Sequence, residues 1–150
     1  MIALGALVAP TRLPGADAVT LAKIGELQVR EFDSSSGEWR RAAMHDPTFF
    51  YGWNWRSQES GGSNNDLEIL VPLIGERSSS VDQPLVVTVT SRRSKKVVES
   101  RRFARIQLPP GGTVYQAVLI KDAACAGVLD VVAKFRTEEK ELSLGLDCGE

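Results

Sequence analysis

The sequence holds one histidine and two cysteines in 150 residues. A lone imidazole at His45 excludes a blue-copper centre, which takes two histidines and a cysteine, and a Cys₂His₂ zinc site. Any Ser-His-Asp triad would have to use His45. No Gly-x-Ser-x-Gly elbow occurs, and Asp46-Pro47 makes His45 a turn residue. Gly111-Gly112 follows two prolines and opens no helix, so it is not a phosphate loop. Asn64-Asn65-Asp66 lacks the twelve-residue EF-hand pattern. The acids, among them Glu26, Glu31, Glu59, Asp66, Glu68, Asp130, Glu138 and Glu139, show no spacing that singles out a glycosidase pair. The expectation is a non-enzyme without metal or cofactor.

Two further features are missing. No run reaches the roughly 18–20 apolar residues that span a bilayer. No charge of one sign dominates, since the net charge is −1, which argues against a dedicated nucleic-acid binder.

What is present is alternation. Leu129, Val131, Ala133 and Phe135 fall on every second position, and Leu142, Leu144 and Leu146 do so again. Side chains of a strand point alternately to its two faces, so each run has one apolar face. Thr137-Glu138-Glu139-Lys140 joins the runs into an antiparallel hairpin. A turn at Glu138-Glu139 pairs Phe135 with Leu142, Ala133 with Leu144 and Val131 with Leu146. Cys125 and Cys148 share the parity of these residues and flank them. They read as a disulfide, although in this register Cys125 lies four residues beyond a direct bridge and the chain near Gly127 must curl back.

Other strands follow at the same pitch: Ile24 to Phe32, Glu38 to Ala43, Thr48 to Trp55, Leu67 to Leu73, Leu85 to Thr90, Lys96 to Leu108 and Val114 to Ile120. Pro72 has no N–H for a ladder, which places its strand at an edge or ends it there. The mixed parity of Lys96 to Leu108 calls for a bulge near Ser100–Phe103. About 7–9 short strands, with turns every eight to twelve residues, predict an all-β fold. The free edge implied by Pro72 favours an immunoglobulin-like antiparallel β-sandwich over a closed barrel. The chain also resembles small exported bacterial immunoglobulin-like domains, a likeness of fold that does not fix function.

Export is the second expectation. Ile2 to Ala9 is apolar, Pro10 and Pro14-Gly15 break any helix, and Ala16-Asp17-Ala18 fits a small-x-small cleavage site. Residues 1–18 read as a signal-peptide remnant or leader and residues 19–150 as one sandwich domain, periplasmic or extracellular. One even pair of cysteines suits that compartment.

Two segments stand out as recognition surfaces. In Phe49-Phe50-Tyr51-Gly52-Trp53-Asn54-Trp55, an extended backbone puts Tyr51, Trp53 and Trp55 on one face. With Asn54 they would form a ligand or partner surface, or else fill the core between two sheets. The second segment is basic: Arg92, Arg93, Lys95, Lys96, Arg101 and Arg102, followed by Arg105. It suits an acidic partner or anionic surface, or is a solvated hairpin tip that protects an edge. The favoured function is an exported binding module with a protein partner. The alternative is a carbohydrate-binding sandwich that uses exposed Trp and Tyr.

Overall fold

A computed structural model describes residues 22–33, 37–41, 66–121, 123 and 126–146. These residues form eleven strands and no helix. The strands are β1 (Lys23–Ile24), β2 (Gln28–Asp33), β3 (Glu38–Arg41), β4 (Leu67–Ile74), β5 (Ser79–Val81), β6 (Leu85–Ser91), β7 (Val97–Phe103), β8 (Ile106–Leu108), β9 (Thr113–Ile120), β10 (Gly127–Phe135) and β11 (Glu138–Leu146). All pairings are antiparallel.

One sheet has β4 at its centre, with β9 on one side and β1 and β2 in line on the other; β3 extends it beyond β2. The second sheet runs β11-β10-β6-β7, and β5 and β8 form a small ribbon. If β1 and β2 count as a broken strand A, then β4, β6, β7, β9, β10 and β11 correspond to B, C, C′, E, F and G. This is the immunoglobulin-like arrangement, with A-B-E in one sheet and C′-C-F-G in the other. β4, β6 and β10 bury Val71, Val87 and Val131 in the core, and none of these three strands holds a cysteine or a tryptophan.

Alternation explains the layering. Leu67, Ile69, Val71 and Leu73 of β4 face Leu85, Val87 and Val89 of β6 and Leu129, Val131, Ala133 and Phe135 of β10 in one buried cluster. Burying each of these valine, leucine, isoleucine and phenylalanine side chains contributes about 1.5–3 kcal/mol relative to exposure. Leu144 and Leu146 of β11 and Val118 and Ile120 of β9 close the two sides.

Four local expectations are corrected. The C-terminal hairpin turns at Arg136-Thr137, not Glu138-Glu139. Phe135 therefore pairs with Glu138, Val131 with Leu142 and Leu129 with Leu144. Arg136 adopts a left-handed φ of 56°, as two-residue hairpin turns require. Pro72 lies in the central strand β4, not at an edge. Its carbonyl accepts from Gly25 N–H at 2.8 Å, on the side where β1 has ended and β2 has not begun. In an antiparallel ladder a residue's N–H and C=O point the same way. The missing donor of Pro72 therefore falls at the break in its neighbour. The bulge in β7 is at Val98, because Val89 pairs with Glu99 while Thr90 pairs with Val97. Finally, the list of strands expected from the sequence is incomplete: Ser79–Val81 forms β5, which pairs with β8.

Candidate functional site

The basic segment occupies the β6–β7 turn and the outer strand of the four-stranded sheet, but its members differ in freedom. Arg92 is held. Its backbone N–H donates to Val128 O at 2.8 Å, and its Nε donates to Asp130 Oδ2 at 3.0 Å. Its Nη2 donates to Asp130 Oδ1 and, at 2.8 Å, to the hydroxyl of Ser143, which in turn donates to Asp130 Oδ1 at 2.7 Å. Hydrogen bonding to Arg92 is the largest influence holding the Asp130 carboxyl below its ordinary range, and Ser143 adds to it. The same pair raises the Arg92 guanidinium. This network ties the turn to β10 and β11.

The remaining cations sit beyond that anchor. Lys95, at the end of the turn, has a φ of 57°. Lys95 and Lys96 are exposed, as are Arg93 and Arg102. Arg101 faces the inner side of β7, since it pairs with core residue Val87, and meets Glu99 at 3.2 Å. Inward-facing charge at a sheet edge is one way proteins blunt edge pairing. Arg102 pairs with Val86 and so faces the outer side.

Among the described residues no strand pairs with the far side of β7. The bulge at Val98 breaks the alternation there, and two consecutive valines stand out: Val97 is 59% exposed and Val98 47%. A bare edge, two exposed valines and a cluster of cations therefore coincide.

The opposite edge, β11, differs in sign. It begins Glu138-Glu139-Lys140-Glu141, and all four residues are exposed. On the outer face Glu139 pairs with Lys134 of β10 at 2.9 Å. Glu139 raises the Lys134 ammonium, with a smaller contribution from Glu141. Across Glu138, Glu139, Lys140, Glu141 and the paired Lys134, three carboxylates stand against two lysines, so the edge keeps a small acidic excess. Next to it lies a cleft of about 630 Å³ between β11 and the β1–β2 break. Ile24, Leu27, Ile74 and Leu142 form its base, and Lys23, Glu26, Lys140 and Glu141 its mouth. Ile24 N–H donates across the two sheets to Glu138 Oε2 at 2.8 Å.

The aromatic candidates Tyr51, Trp53, Asn54 and Trp55 lie outside the described residues, as do His45, Cys125, Cys148 and residues 1–18. Among the described residues no three His, Cys, Asp or Glu side chains are placed to hold a metal, and no helix is long and apolar enough to cross a membrane. Sequence reasoning found the cations but missed the acidic edge of β11, because it had assigned Glu138-Glu139 to the turn.

No known family model matches the chain. No curated protein matches its sequence. Solved structures give distant likenesses. One is a β-glucosidase from Erythrobacter marinus, at 10% identity and TM-score 0.42, covering 83% of this chain; the chain spans only 15% of that protein. The ligand-binding region of serine-glutamate repeat protein A of Enterococcus faecium is similar at 12% identity and TM-score 0.32, covering 55% of this chain and 84% of that one. The C-terminal domain of Wzt is similar at 10% identity and TM-score 0.44, covering 92% and 84%.

Proposed function

We propose that this chain is an exported, non-enzymatic interaction module that receives an acidic segment of a protein partner along β7. The single observation behind this reading is that coincidence: a strand edge that no other described strand pairs with, whose bulge exposes Val97 and Val98 beside Lys95 and Lys96, with Arg102 further along the same strand. An extended segment added there would gain main-chain hydrogen bonds from the edge and specificity from the flanking charges. The Arg92–Asp130–Ser143 network supports the reading by fixing the root of the basic turn, which lowers the entropy lost on binding.

Export is supported by the sequence: the apolar run from Ile2 to Ala9 precedes the small-x-small site Ala16-Asp17-Ala18, and the chain carries one even pair of cysteines, Cys125 and Cys148. A bond between them would persist in an oxidising compartment.

The test is a photo-crosslinking residue in place of Ser100 in the chain expressed in its own host. A covalent adduct with a protein, lost when Arg101→Glu and Arg102→Glu are added, is the expected result. Adducts that ignore the charge reversal would defeat the reading, as would none at all.

A further inference from the structure

We propose that a partner for the β7 edge is β11 of a second copy of this chain, so that copies add head to tail and extend the four-stranded sheet. This deepens the interaction reading above and rests on it only in taking β7 as the contact edge.

The first argument is direction. Strands in the sheet alternate in the order β11-β10-β6-β7. With four alternating strands, the two edge strands run in opposite senses. A second copy shifted sideways without inversion brings its β11 antiparallel to the first copy's β7. No flip of the sandwich is needed, and the outer faces of both copies stay on one side.

The second argument is charge. On β7 stand Arg101 and Arg102, in the same rows of the sheet as the Glu138–Glu139 end of β11, which presents Glu139, paired with Lys134, and Glu141; Lys95 and Lys96 precede Val97 at the other end of the sheet, in the row of Ser143. Arg102 faces the outer side of its sheet because it pairs with Val86. Glu139 and Glu141 face the same side because they pair with Lys134 and Val132. Side chains on one pleat face pair directly or diagonally with those of a neighbouring strand. Arg102 of one copy therefore meets Glu139 or Glu141 of the next without a change of face. Two β7 edges repel each other, as do two β11 edges. The charges that guard each edge against its own kind select the other edge.

The contact is heterologous, with different surfaces on the two copies, and leads to rings or open arrays. The interface is small and its ion pairs are exposed, so association should rise with protein concentration and weaken with salt.

Sedimentation velocity over a concentration series tests this with two charge-reversed variants, Arg101→Glu/Arg102→Glu on β7 and Glu139→Lys/Glu141→Lys on β11. Each alone carries like charges on both edges and should self-associate at least about tenfold more weakly than the parent. Mixed, the two variants offer opposite edges again, and larger species should return. The chain carrying all four substitutions should also regain self-association. Far-ultraviolet circular dichroism and thermal melts that match the parent establish that the variants fold, and if a variant fails to fold, Arg102→Ser and Glu141→Gln replace the reversals. A parent that stays monomeric at every concentration, or self-association indifferent to either reversal, overturns the proposal. An adduct from position 100 with a different protein, alongside a monomeric parent, overturns it too while leaving the interaction reading intact.

Discussion

Gly25 lies against Pro72: a Cβ built on Gly25 would sit 2.9 Å from Pro72 Cγ and 3.0 Å from Ile74 Cδ1. The same glycine donates its N–H to Pro72 O at 2.8 Å. The break between β1 and β2 is thus where a proline without a donor and a glycine without a side chain fit each other. Gly25→Ala should destabilise the fold by about 1–3 kcal/mol, because the proline ring has little room to yield. Urea unfolding at constant m-value measures this, and an unchanged midpoint would show that the strand break relaxes freely.

Phe135 is fully buried where β10 ends, paired with Leu85 of β6 and roofed by the Arg136 guanidinium 5.1 Å from its ring. Phe135→Ala removes the largest fully buried side chain among the described residues and should cost about 3–5 kcal/mol. Exposed Lys140→Ala, on the partner strand, should stay within about 0.5 kcal/mol of the parent. Paired denaturation curves check both, and similar losses would mean that β10 does not line the main core.

Asp130 gives the fold a defined acid response. Its carboxyl is held below the ordinary range, first by hydrogen bonding to Arg92. The stabilisation is therefore complete above the unfolded aspartate value of about 3.9 and is lost as pH falls through the lower native one. The parent should be more stable than Asp130→Asn at neutral pH, and the gap should close below about pH 4. Thermal melts from pH 7 to pH 2 measure it; a gap constant over that range would mean that the Arg92 pair does not set the titration.

The proposed Cys125–Cys148 bond makes a prediction independent of any partner. Non-reducing peptide mapping of protein recovered from its own compartment should find the two cysteines linked. Reduction should lower stability by about 3 kcal/mol in the chain-entropy model. Two free thiols in that material would remove the support for export.

Much of this fold can be read from residue order. The alternations at Leu67 to Leu73, Leu85 to Val89 and Leu129 to Phe135 are the buried faces of β4, β6 and β10. Period alone, however, cannot fix register. Moving the hairpin turn by two residues, from Glu138-Glu139 to Arg136-Thr137, leaves every side chain on its own face and changes only its partner. Arginine is no signal for the left-handed turn position it holds here. Pro72 misleads for a similar reason: its rule concerns a local hydrogen bond, and the gap that satisfies it comes from residues more than forty positions earlier. The site was half legible. A cluster of cations is a sequence property, but the opposing acidic edge exists only once the hairpin register is known.

The break between β1 and β2 also gives two neighbouring amides different jobs. Ile24 holds its proton against a carboxylate of the facing sheet, and Gly25 holds its own against a carbonyl of the same sheet. Hydrogen exchange at Ile24 should track separation of the two layers, whereas exchange at Gly25 should track fraying within one. A single turn of backbone thus carries two clocks, and the difference between them measures how independently the layers breathe.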